Sequence, residues 1–176
     1  MMKKSLLAFL VLLLAAQAQP QIGAMKMVGN NTSDYSIGFG AFIKTAFPVS
    51  DAASATLELG SNFFPVKGSG LSYGTAMCPL KLGYRHTLNG EGDGFYVEPQ
   101  AGYNLYGVTS LAGENGETID LKYHGVVLAA GGGYLFNISN TLFDLNLRYE
   151  TVIANGGSNN FISLGITKSF SFGKRE

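Results

Sequence analysis

The sequence carries little charge for its size. Of 176 residues, 12 are Lys or Arg and 12 are Asp or Glu, 14% in all, where a soluble globular domain carries about 25%. Tryptophan is absent, and cysteine occurs once, at Cys78, which excludes an internal disulfide framework. There are two histidines, His86 and His124. Neither has a partner at metal-ligand spacing, so no metal or other cofactor is expected. The formal net charge of zero excludes the basic footprint of a nucleic-acid binder. No Gly-x-Ser-x-Gly or phosphate-loop pattern occurs. Low charge does not signal disorder here. The chain is 46% hydrophobic with 9 Tyr and 12 Phe, and disorder requires few aromatics and high net charge.

What is abundant is glycine, at 24 residues as numerous as all charged residues together. The N-terminus is set apart. Lys3 and Lys4 precede an apolar run, Leu6 to Ala16, and Ala16-Gln17-Ala18 supplies the small residues of a cleavage site. This is the three-part secretory signal, and it assigns residues 1–18 to a signal peptide and 19–176 to one mature domain. Removing it leaves 158 residues (176 − 18) and takes two lysines with it, for a net charge of −2 (10 − 12). Elsewhere no stretch approaches the roughly 18 uninterrupted apolar residues of a membrane helix.

Period-two alternation dominates the rest, and a strand sends alternate side chains to opposite faces. In residues 141–152, Phe143, Leu145, Leu147 and Tyr149 oppose Asp144, Asn146, Arg148 and Glu150. In 95–106, Phe95, Val97, Pro99, Ala101, Tyr103 and Leu105 oppose Tyr96, Glu98, Gln100, Gly102, Asn104 and Tyr106. Segments 35–47, 55–64, 74–85 and 161–172 alternate likewise. They put Lys44, Glu58, Lys81 and Arg85 on the polar side and Tyr35, Cys78 and Ile166 on the apolar side, with Lys168 interrupting the last apolar face. Residues 121–136 are apolar on both faces, so their facing is open. Residues 22–29 alternate poorly and are taken as a strand because a closed sheet needs them. Breaks at 30–34, 48–53, 65–72, 89–94, 109–120, 137–140 and 155–160 are rich in Gly, Asn, Asp, Ser and Pro. None has room for a crossover helix, so neighbours pair antiparallel. The expected fold is all-β, an eight-stranded antiparallel up-and-down barrel.

Such a barrel is either soluble, with an apolar cavity and polar exterior, or transmembrane, with an apolar exterior and polar lumen. The polar face carries Lys44, Glu58, Lys81, Arg85, Glu98, Asp144, Arg148 and Glu150, four cations and four anions. Equal numbers suit a narrow lumen, where unpaired charge is heavily penalised. Gly38, Gly40, Gly60, Gly83, Gly102 and Gly165 share that face, as side chains filling a small barrel require. Aromatics at the ends of the apolar face (Tyr35, Phe47, Phe63, Tyr84, Phe95, Tyr149, Phe172) suit an interfacial girdle. The sequence is therefore read as a transmembrane barrel, with both termini on the periplasmic side and an acidic outer loop at 109–120.

The chain resembles the small eight-stranded outer-membrane β-barrel proteins of Gram-negative bacteria, with a porin-like β-barrel domain. Carrying the resemblance are the last strand, Phe161-Ile-Ser-Leu-Gly-Ile-Thr-Lys-Ser-Phe-Ser-Phe172, and the segments Leu82-Gly83-Tyr84-Arg85 and Phe95-Tyr-Val-Glu-Pro-Gln-Ala-Gly-Tyr103. It implies that Ile166, Phe170 and Phe172 form the terminal strand presented to the barrel-assembly machinery. It also implies that outer-membrane lipid surrounds the domain. Gly173-Lys174-Arg175-Glu176 beyond the last aromatic departs from the family pattern. Members of the class serve as anchors, adhesion or defence factors, or narrow channels.

The expected role is a non-enzymatic outer-membrane protein with a charge-filled lumen and external loops for surface contact or envelope integrity. A narrow porin-like channel and a soluble lipocalin-like periplasmic barrel are the alternatives. Glu98 and Glu150 read as lumen partners of Lys81, Arg85 or Arg148 rather than an acid/base pair. Neither histidine has an identifiable Ser and acid partner for nucleophilic catalysis.

Overall fold

The computed structural model describes residues 19–169 except 30, 31, 91, 92, 114, 116 and 140. The signal segment and the tail, with Phe170 and Phe172, lie outside the described residues. Eight strands follow in order: β1 (Gln19–Val28), β2 (Gly38–Ser50), β3 (Ala53–Pro65), β4 (Gly74–Thr87), β5 (Gly94–Ala112), β6 (Thr118–Ile138), β7 (Thr141–Ala154) and β8 (Gly157–Ser169). Each pairs antiparallel with the next, and β1 pairs with β8 from Gln21↔Thr167 to Val28↔Asn160, which closes the ring. The up-and-down barrel expected from the alternation is the observed fold.

Alternation is realised as facing. On β7, Asp144, Asn146, Arg148 and Glu150 are buried, while Leu145, Leu147 and Tyr149 are exposed. Ile22, Ile43, Leu59, Leu82, Leu128, Leu164 and Ile166 continue this exposed apolar band around the outside. At the end that carries the termini an aromatic belt crosses β5, β6 and β7. Phe95 meets Tyr134 at 4.7 Å between ring centroids, and Phe136 meets Phe143 at 5.7 Å. Lys168 lies exposed at the same end.

Several expectations are corrected. β1 is a full strand, starting at Gln19. Its poor alternation arises because Met25 and Met27 fill the interior. Residues 109–120 are not a long loop. β5 and β6 keep pairing as far as Ala112↔Thr118, and the Gly113 N–H donates to the Glu117 carbonyl at 2.7 Å across the tip. Tyr106 faces outward rather than inward, because a bulge between Asn104 and Gly107 adds a residue on β5 and reverses the parity. Tyr35 is not on the outer face. It precedes β2, bridges to Val66, and leans over the barrel mouth against the interior apolar cluster. The open facing of residues 121–136 is resolved, with Val127, Ala129 and Leu135 inward and Val126, Leu128 and Tyr134 outward.

Candidate functional site in the barrel interior

Inward-facing positions of β2, β3, β4, β5 and β7 bring all eight polar-face charges together inside the terminus-side half. Asp144 accepts from Arg85 Nη2 at 2.7 Å and from Tyr96 OH at 2.6 Å. The Arg85 guanidinium lies over the Tyr96 ring, 4.1 Å from its centroid, a cation–π contact in a desolvated place. Arg85 Nε also donates to Glu98 at 3.0 Å, and Glu98 accepts from Lys44 Nζ at 2.6 Å. Thr56 and Gln100 each donate to Glu98 Oε1 at 2.8 Å.

The chain of contacts continues upward. Arg148 grips Glu58 with both terminal nitrogens, at 2.8 and 3.0 Å, the fork geometry that makes arginine–carboxylate pairs strong. Lys81 bridges Glu58 at 2.8 Å and Glu150 at 2.5 Å. Every charge thus has an opposite partner, and four cations meet four anions. Burying charge costs several kcal/mol per ion unless pairing and hydrogen bonds offset it. One connected, neutral network meets that condition.

Glycine makes the room. A Cβ at Gly83 would sit 2.6 Å from Thr56 Oγ1 and 2.7 Å from Gln100 Cγ. At Gly60 it would run into the Phe42 ring. An eight-strand barrel is only just wide enough for side chains to fill, so the inward side chains Phe42, Thr56 and Gln100 need residues without side chains beside them.

Amides share the interior with the charges, and on β7 Asn146 is the inward residue between Asp144 and Arg148. Gln21 Nε2 donates to Asn146 Oδ1 at 3.1 Å. Asn104 Oδ1 accepts the Cys78 N–H at 3.0 Å, which satisfies a donor displaced by the bulge between Cys78 and Pro79. Cys78 itself is half-buried.

The half of the interior away from the termini is mainly apolar, with Asn62, Thr75 and Asn104 buried in it. Met25, Met27, Phe42, Phe64, Met77, Val127, Val152 and Phe161 form one buried cluster, with Tyr35 and Tyr123 packed on it. Phe64 and Phe161 meet at 5.1 Å between centroids. Sequence reasoning missed this plug, although its signal is present. At one end of most strands the alternation fails and both faces are apolar, as in Phe63-Phe64, Val126-Val127, Val152-Ile153 and Phe161-Ile162.

Among the described residues, no group of three or more His, Cys, Asp or Glu side chains is placed to hold a metal ion. His86 and His124 are both exposed. Ile166 is on the outer face of β8.

The closed eight-strand meander with an apolar outside and a charged inside defines the class: this is the fold of the eight-stranded outer-membrane β-barrels. No protein-family model and no curated protein sequence matches the chain. Among solved structures, the chain is similar to the attachment invasion locus protein Ail of Yersinia pestis, with a TM-score of 0.62 and 11% identity over 88% of this chain and 98% of that one. It is also similar to the N-terminal β-barrel domain of Pseudomonas aeruginosa OprF, with a TM-score of 0.61 and 14% identity over 88% and 98%. For Neisserial surface protein A the TM-score is 0.54 with 14% identity, over 87% of this chain and 96% of that one.

Proposed function

We propose that the mature chain is an integral outer-membrane protein without enzymatic activity, exported by residues 1–18, with both termini periplasmic. In this reading the barrel is a sealed scaffold that holds the loops and hairpin of its opposite end at the cell surface. The observation that carries the reading is the filled interior: a neutral charge network in one half, capped by an apolar plug in the other. In this reading the two together seal the axis. The exposed Leu and Ile band with its aromatic belt is what a lipid-embedded strand set requires, and closure satisfies the edge groups that lipid would not hydrate. A soluble lipocalin-like barrel needs the opposite polarity.

Planar-bilayer recording of the refolded protein is expected to give little or no steady conductance. A stable, large single-channel current would replace the sealed scaffold with a narrow porin. The unheated protein should migrate differently from the heated protein on gels and remain in the membrane fraction. Solubility of the unheated protein without detergent would end the membrane reading.

A further inference from the structure

The β5–β6 hairpin rises past the rest of the barrel. β6 last pairs with β7 at Gly125↔Ala154, yet its pairing with β5 continues outward to Ala112↔Thr118. From Thr118 to His124, β6 is therefore paired on one side, and among the described residues nothing pairs with its other side. At about 3.3 Å per residue this leaves an open edge roughly 20 Å long. Such an edge presents unpaired N–H and C=O groups that accept a further strand.

The two faces of the hairpin differ in polarity. The face continuous with the inward-pointing Tyr123 carries Leu111, Ile119 and Leu121, all exposed. The other face carries Ser110, Asp120 and Lys122, and Ser110 Oγ donates to Asp120 at 2.6 Å.

The open edge reads Thr118-Ile-Asp-Leu-Lys-Tyr-His124, and it is complementary to itself. Laid antiparallel on a second copy with Leu121 opposite Leu121, Asp120 faces Lys122 twice and Ile119 faces Tyr123 twice. Sliding by one in-phase step places Asp120 opposite Asp120, or Lys122 opposite Lys122. Opposite charges directly across an antiparallel pair stabilise it and like charges destabilise it, so one register is selected. The contact is isologous, the form a two-fold dimer takes.

Its direction limits where it forms. β6 runs from the hairpin end toward the terminus end, so two antiparallel β6 edges belong to barrels pointing in opposite directions. Two barrels inserted the same way into one membrane cannot meet so, whereas two in facing membranes can. We infer that the β6 edge joins two copies of this chain across facing membranes, a homotypic contact between surfaces. This rests on the proposed membrane orientation with the hairpin end outside.

The test uses lipid vesicles carrying the refolded full-length mature chain, with flotation to establish insertion and light scattering to read tethering. Wild-type vesicles should tether. Vesicles carrying Asp120→Lys alone, or Lys122→Asp alone, should tether about tenfold less, because two attractive cross-strand pairs become repulsive. Mixing the two variant populations should restore tethering, since one edge then carries two cations and the other two anions. Both substitutions sit on exposed positions above the barrel, and heat-modifiable migration checks that each variant is folded. Inserted wild-type protein that leaves vesicles separate overturns the inference alone, as do single variants that tether normally or a mixture that stays separate. Protein that does not float with vesicles overturns the membrane reading and this inference with it.

Discussion

In the terminus-side half of the interior the space is filled by Lys44, Glu58, Lys81, Arg85, Glu98, Asp144, Arg148 and Glu150. In the other half it is filled by Met25, Met27, Phe42, Phe64, Met77, Val127, Val152 and Phe161. Both halves are filled by side chains, but they resist damage differently. An apolar cluster loses transfer energy and gains a cavity in proportion to what is cut away. A buried ion network has the further property that removing one member strands another, and a stranded buried charge costs more than the pair contributed. The charged half is therefore the more specific of the two and the less forgiving.

The largest effect should come from Arg148→Ala. It removes the two-pronged partner of Glu58 and should destabilise the barrel by about 3–5 kcal/mol in urea titrations. Phe64→Ala, in the apolar half, should cost about 3 kcal/mol through the cavity it opens. If it costs more than Arg148→Ala, the plug and not the network is the main seal. Conservative changes should separate the halves further. Arg148→Lys keeps the charge but loses the fork, and should cost about 2 kcal/mol, whereas Phe64→Leu should cost about 1 kcal/mol by equilibrium unfolding. The smallest effect should be that of Leu147→Ala, on the exposed face next to Arg148. Lipid tails are as apolar as leucine, so the loss should stay under ~1 kcal/mol. A larger loss for Leu147→Ala than for Arg148→Ala would mean that inside and outside have been exchanged.

The strand order and the charged half were legible because both rest on a period of two. Glu98, Gln100 and Gly102 announce their common face regardless of what the rest of the chain does. Four things were not legible. The parity reversal at Tyr106 depends on a bulge, which inserts a residue without any mark in the alternation. The inward lean of Tyr35 depends on a bridge to Val66 across a loop, a contact that local pattern does not encode. The plug was hidden because its residues, Met25, Phe64 and Phe161 among them, are apolar like the outer face. A chain apolar on both faces has no alternation to read. The hairpin was missed for a related reason. Gly, Asn and Glu at its tip signalled a loop, while Thr118, Ile119 and Leu121 beside them are good strand formers.

The parentage of the charges has a consequence for how the barrel is made. Strands β2 to β5 contribute three cations, Lys44, Lys81 and Arg85, and two anions, Glu58 and Glu98. β7 alone brings Asp144, Arg148 and Glu150, and only with it does the sum reach zero. Without β7, Lys81 has no Glu150 and Arg85 has no Asp144. A partly assembled sheet therefore holds a surplus positive charge that wants water and cannot be sealed. A shortened chain lacking the second-to-last strand therefore has no neutral interior to bury.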